Sequence, residues 1–255
     1  MDAELKSITG DSPKVTRIAT GFHKAAGPVY SRIGYLLFCD ADNVLRWQDG
    51  SLTVFRPESN QPRALTFDHQ GRLLACEKDR LTRTEKNGGI TVLAKGSGLA
   101  DVIYAIDQNI YFCDAKAVYR VKRGGGTASA THECRQPGGV ALAPNQQRLY
   151  VSDSASKTIR VFDIADNGAL ANGRVFAGVK QSPLRGLKTD EGGRVWLAGP
   201  SGILVFNRQG EQIGEIPIPE PPSNLNWAAG FRDIIATAGN SVYRIEARTN
   251  GTRTF

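Results

Sequence analysis

The chain has 255 residues, 40% hydrophobic and 22% charged, with 28 Gly, 12 Pro and a single Met. That composition is globular and long enough for one large domain or two small ones. The net charge of +7 is spread along the chain, with no basic run longer than the VKRG stretch around Lys122 and Arg123 and no aromatic stacking motif, which points away from nucleic acid.

The first ten residues, MDAELKSITG, lack the apolar core of a leader peptide, and nowhere do eighteen apolar residues follow one another, so no membrane span is expected. The compartment stays open between cytoplasm and a periplasmic or secreted location after removal of a leader, and so does the oligomeric state. Residues 1–14 read as a loosely ordered arm. From Val15 onward, apolar runs are short, rich in Val, Ile, Leu, Tyr and Phe, and bounded by Gly, Asn and Asp, the pattern of an all-β chain.

These runs recur. GYLLFCDADNVLRW from Gly34, GRLLACEKDRLTRT from Gly71, QNIYFCDAKAVYRV from Gln108, QRLYVSDSASKTIRVF from Gln147, GRVWLAGPSGILVF from Gly193 and RDIIATAGNSVYRI from Arg232 align on a small residue that ends an apolar strand. The anchors Cys39, Cys76, Cys113, Ser152, Ala198 and Thr237 are 37, 37, 39, 46 and 39 residues apart. A period of about forty is that of a four-stranded propeller blade. In the second unit the strands are ALTFD from Ala64, RLLACE from Arg72, RLTRTE from Arg80 and ITVLA from Ile90, joined by the turns HQG, KD and NGG. The last unit ends near Arg248 without a fourth strand, and VTRIATGF, Val15 to Phe22, is a spare strand at the other end. The expectation is a single six-bladed β-propeller over residues 1–255, its ring closed by that N-terminal strand. A β-sandwich does not account for six aligned units, and the GH and WD signatures of WD repeats are absent. Cys39, Cys76 and Cys113 share one repeat position, and with Cys134 they match no zinc spacing; they read as small buried apolar residues.

In a propeller the innermost strand of each blade starts near one mouth of the central channel, so residues at those starts converge on a common cavity. They fall in AAGPVY around Ala26, QPRALTF around Arg63, LADVIY around Ala100, PGGVALA around Gly138, LRGLKTD around Arg185 and SNLNWAA around Asn224.

GPVYSRIGYLLFCDADNVLRW, LTFDHQGRLLACEKDRLTR, ITVLA, GLKTDEGGRVWLAGPSGILVF and IPIPEPPSNL resemble the senescence-marker-protein, gluconolactonase and luciferin-regenerating-enzyme family over nearly the whole chain. The resemblance implies a six-bladed propeller with calcium- or zinc-dependent lactonase or related hydrolase activity. It also implies a divalent metal in the channel, held by a Glu before GP, by channel Asn residues and by an Asp before GLK. At those positions this chain has Ala26 for the Glu, Ala100 and Gly138 for two Asn, and Arg185 for the Asp, while Arg63 replaces a second-blade Asn. Asp101 keeps the second position of an Asn-Asp pair, and Asn224 is kept. A hard dication needs several oxygen ligands, usually carboxylates among them. The expectation is therefore no cofactor and no metal at the family position.

Two guanidinium groups at channel positions suit a carboxylate or phosphate. The sequence thus reads as a divergent gluconolactonase-like propeller that binds or acts on a small anionic or cyclic molecule, of lactone or carboxylate type, through Arg63 and Arg185. Asn224, Tyr104 and Asp101 are further candidates for contacting it. His23, three residues before Ala26, is a candidate general base; the other catalytic candidates are Arg185, as an electrostatic stabiliser, and Tyr30, a hydrogen-bond donor standing where the family usually has Trp. His132 and Glu133 precede the fourth blade and reach towards its rim, while Asp68 and Asp190 match positions that tie turns. Two alternatives remain: a non-catalytic binder, and a metal-dependent hydrolase with ligands relocated around Asp101, His23 and Asn224.

Overall fold

Leu73, Leu74, Ala75 and Cys76 form one short strand and show how the chain makes its layers. Successive side chains of a strand point to opposite faces. Leu74 and Cys76 pack with Val102, Tyr104 and Phe112 of the following unit, while Leu73 and Ala75 pack with Val29, Leu37 and Cys39 of the preceding one. Both faces are covered, so the strand reads as a continuous apolar run rather than an alternating one.

The computed structural model describes residues 2–228, 230 and 232–252. It contains six four-stranded antiparallel sheets, and each is one blade of a six-bladed β-propeller. The inner strands of blades 1 to 6 are Ala26–Tyr30, Ala64–Phe67, Asp101–Tyr104, Pro137–Leu142, Leu187–Thr189 and Pro222–Trp227. They touch in sequence order, and the sixth touches the first, so blades 2 and 5 face each other across the axis, as do blades 3 and 6. Six apolar clusters hold neighbouring blades together. The repeat anchors lie in the second strands, where Cys113 pairs with Asp101, Ser152 with Gly139 and Thr237 with Asn224.

The ring closes as the sequence implies. Val15–Thr20 is the outer strand of blade 6, pairing Val15 with Ile245 and Thr20 with Ser241. It stops two residues short of the expected Phe22, because the N–H groups of Gly21 and Phe22 both donate to Asn240 O and turn the chain towards blade 1.

The arm before it is not loose. Ala3–Thr9 is a helix capped by Asp2, whose carboxylate accepts from Glu4 N at 2.7 Å. Leu5 and Ile8 are buried among Ile213, Ile216 and Ile245, and Glu4 pairs with Arg194 at 2.6 Å. The spacing of Leu5 and Ile8, three residues apart on one helical face, explains the docking. A Cβ on Gly214 would stand 2.3 Å from Leu5 Cδ2, so the absence of a side chain there makes room for the helix. Among the described residues no helix is long and apolar enough to cross a membrane.

Candidate functional site

Each inner strand runs from the mouth where its preceding loop arrives to the opposite end of the channel. Arg63 and Arg185 stand at the mouth, just before the inner strands of the opposed blades 2 and 5. Their backbones are fixed, Arg63 N donating to Cys76 O at 2.8 Å and Arg185 N to Ala198 O at 2.9 Å. Their side chains are exposed, and among the described residues neither guanidinium has a hydrogen-bond or ion-pair partner. Lys24 and Arg135, in the loops leading to blades 1 and 4, are exposed at the same end.

Below the arginines the channel is bridged. Asp101 begins the inner strand of blade 3 and is 1% exposed. Its carboxylate accepts from Val140 N of blade 4 at 3.0 Å and from Asn224 Nδ2 of blade 6 at 3.1 Å. Lys188 of blade 5 brings its ammonium to 3.8 Å from Asp101 Oδ2 and donates to Leu187 O at 3.0 Å. Four of the six inner strands thus meet at one carboxylate. A buried charge persists when it is paired and hydrogen-bonded, and this one is both.

Backbone geometry sets which side chains can enter. The inner strands of blades 1, 4 and 6 shift register near the mouth, between Ala26 and Val29, Pro137 and Gly139, and Pro222 and Asn224. Such bulges re-aim side chains. At Gly138 a Cβ would lie 2.2 Å from Leu184 O, so the close approach of blades 4 and 5 leaves no room for a side chain. Beside Gly186 the space is filled by Asn224, whose Oδ1 would be 1.8 Å from a Cβ there. Ala26 and Ala100, both partly buried, pack against the apolar clusters between blades.

The sequence candidates separate by their place in the fold. Arg63, Arg185, Asp101 and Asn224 gather at the mouth and just beneath it. Tyr30 and Tyr104 end their inner strands, at the far end from the arginines, which places neither beside them. Tyr104 hydroxyl lies 2.5 Å from His69 Nδ1, and burial raises its pKa; Tyr30 packs in the cluster between blades 6 and 1. The turn chemistry that ends these strands was readable, but not that it carries both phenols away from the mouth. His23 is at the mouth end yet outside the channel floor, 85% exposed and 3.4 Å from Asp40 Oδ2. It does not join Asp101 and Asn224. His132 bonds to Ser129 in the outer strand of blade 3 and Glu133 pairs with Arg160 in the third strand of blade 4, so neither joins the arginines. Asp68 accepts from Gln70 N and Arg72 N, and Asp190 from Arg194 N and Trp196 Nε1, so both tie turns.

Lys188 was missed by sequence reasoning. The sequence around it gave no signal, because the burial of every position of Leu187–Thr189 comes from the ring closing around that strand.

Asp101 is the sole carboxylate in this group, and Val140 N, Asn224 and Lys188 already surround it. Asn224 Oδ1 is likewise taken, accepting from Leu225 N at 2.8 Å. Among the described residues no three His, Cys, Asp or Glu side chains form a group able to hold a metal ion. A separate cleft of about 340 Å³, lined by Asp107, Asn109, Lys122, Arg123, Asp166 and Asn167, opens among hairpin turns at the other end of blades 3 and 4.

Residues 25–238 match the sequence profile of the SMP-30/gluconolactonase/LRE-like region. The chain belongs to this family. An SMP-30/gluconolactonase/LRE-like fold is also what the solved structures give: a gluconolactonase from Xanthomonas campestris superposes with a TM-score of 0.88 at 26% identity, covering 97% of this chain and 93% of that one. Among curated relatives, a gluconolactonase of Zymomonas mobilis is 26% identical over 207 residues, 76% of this chain and 57% of the relative. The lactonase drp35 of Staphylococcus saprophyticus is 24% identical over 76% of this chain and 69% of its own length. The chain therefore spans little more than half of the first of these relatives.

Proposed function

We propose that this family member binds a small anionic molecule, a carboxylic acid or the corresponding lactone, at the mouth of the propeller channel, and that it does so without a divalent cation. The observation that carries the proposal is the pair of exposed guanidinium groups of Arg63 and Arg185, without partners among the described residues, at the strand starts of opposed blades. Guanidinium forks match the geometry of a carboxylate. A dication at this position would meet two arginines, a lysine ammonium and a single carboxylate whose oxygens are already engaged, which is the wrong donor set for it.

The family relationship supports lactone chemistry as the activity. When water adds to a lactone carbonyl, negative charge develops on the carbonyl oxygen, and a guanidinium beside that oxygen stabilises the transition state more than the neutral ground state. In this reading Arg185 and Arg63 act by electrostatics. The relocated-metal alternative loses its histidine, because His23 sits with Asp40 rather than with Asp101 and Asn224.

The test is a panel of aldonolactones and aldonic acids, assayed for binding and for hydrolysis with chelator-treated protein. Binding that survives the chelator and falls in Arg63→Ala and Arg185→Ala is the expected result. Stoichiometric calcium or zinc required for binding or turnover overturns it.

A further inference from the structure

The channel floor contains a positive group that the two arginines do not account for. Lys188 is an ammonium on an inner strand, its side chain 10% exposed, directly beneath the loop that carries Arg185. An ammonium has three N–H donors. One goes to Leu187 O at 3.0 Å, and the nearest acid oxygen, Asp101 Oδ2, is 3.8 Å away, beyond ordinary hydrogen-bond length. Asp101 is meanwhile satisfied by Val140 N and Asn224 Nδ2. The carboxylate thus balances the charge of Lys188 without using up its donors.

A buried pair of this kind is a poor device for stability alone, since well-packed apolar residues of similar volume would serve as well or better. What it does supply is a positive group of fixed position. It cannot swing away as a solvent-exposed lysine can, because Leu187 O and Asp101 hold it from two sides. Asn224, which also touches Asp101, fills the space beside Gly186 and limits movement of the floor.

Resting on the binding site proposed above, we propose that Lys188 is its inner end: the ligand enters between Arg63 and Arg185 and places one carboxylate or carbonyl oxygen against the Lys188 ammonium. Asp101 is then a positioning residue that holds the ammonium in place. Three positive groups, two exposed at the rim and one held at the floor, select a ligand with an anionic group at one end and a second oxygen acceptor further in. Hydroxy acids and their lactones have that form.

The probe is D-gluconate, titrated by calorimetry into the full-length native protein, Lys188→Met, the double variant Asp101→Asn/Lys188→Met, and Arg63→Ala/Arg185→Ala. The double variant removes both buried charges together and keeps an acceptor for Val140 N, so it remains folded if the single variant does not. Loss of one charge-assisted hydrogen bond is worth about 10- to 100-fold in affinity. The expected result is a loss of that size in the double variant with its melting temperature retained, and a shift of the Lys188 ammonium resonance in the native protein at saturating gluconate. Native affinity in the double variant and an unmoved Lys188 resonance overturn the role of Lys188, while the arginine site stands if Arg63→Ala/Arg185→Ala still weakens binding. If native protein does not bind gluconate, or the arginine variant binds as native does, the underlying site is itself wrong.

Discussion

The amide of Asn224 donates to the carboxylate of Asp101 at 3.1 Å, joining blades 6 and 3 across the propeller axis. The two residues are 123 positions apart in the chain. With Lys188 at 3.8 Å, they make the channel floor a charge-balanced unit. Replacing Asp101 by Ala strands a buried ammonium, and breaking one side of such a pair costs about 3–5 kcal/mol. Denaturant melts should show that loss for Asp101→Ala and recover most of it for Asp101→Asn/Lys188→Met. Equal stability of Asp101→Ala and native protein would show that the floor is not an ion pair in solution.

The rim arginines behave differently because their side chains hold no other described residue. Arg63 and Arg185 are exposed and without partners among the described residues, so truncation of either leaves stability within about 0.5 kcal/mol. Affinity for gluconate should fall about tenfold or more for each, the size of one charge-assisted hydrogen bond. Thermal melts and calorimetry on the same samples separate the two effects.

Leu5 is fully buried against blades 5 and 6 although it precedes the first strand. Leu5→Ala leaves a cavity and should destabilise the protein by about 2–5 kcal/mol, as large-to-small core substitutions do. A flexible arm would show no change, so the melting curve of this one variant decides whether residues 3–9 are docked.

Four thiols are available in principle as nucleophiles, and their surroundings argue against that use. Burial pushes Cys39, Cys76 and Cys113 far above the ordinary thiol range, and Cys134 up to about 12. At pH 8 the native protein should therefore react with none of its four cysteines on addition of an aromatic disulfide reagent. Four equivalents should react once it is unfolded. A fast-reacting thiol in the native state would contradict the packing of the second strands.

Asp153 anchors the loop into blade 4. Burial raises its pKa, but the N–H groups of Arg135, Gln136 and Ala155 and the hydroxyl of Ser156 outweigh that and lower it below the usual carboxylate range. A carboxyl with a lower pKa folded than unfolded binds protons more readily when unfolded. Its stabilisation is complete above the unfolded value, near pH 4, and disappears as pH falls through the folded value. Asp153→Asn should be less stable than native protein at pH 7, and the gap should shrink below pH 4.

The repeat, the six blades and the closure of the ring were legible in the sequence because they rest on short-range rules. Apolar runs covered on both faces, small residues such as Cys39, Cys76 and Cys113 at strand ends, and turn residues such as Asp107–Asn109 act within a few positions of themselves. The borrowed strand was legible for the same reason, since a blade short of one strand leaves unpaired backbone groups that only Val15–Thr20 was left to satisfy. The candidate site was legible in part. Strand starts put Arg63, Arg185, Asp101 and Asn224 at one end of the channel, and the fold has them there; that Tyr30 and Tyr104 lie at the other end follows from the length of each inner strand, which the pattern of candidates ignored.

The helix of Ala3–Thr9 and the channel floor were decided only by the tertiary structure. A seven-residue segment is too short to be stable as an isolated helix, so its order comes from the groove that receives Leu5 and Ile8. Lys188 reads as a surface charge until blades 3, 4, 5 and 6 converge, because its partners lie on strands far away in sequence. Local pattern fixed which strands exist and how they stack. Which charges meet on the axis depended on ring closure and on the bulges at the strand starts, and neither is encoded within one repeat.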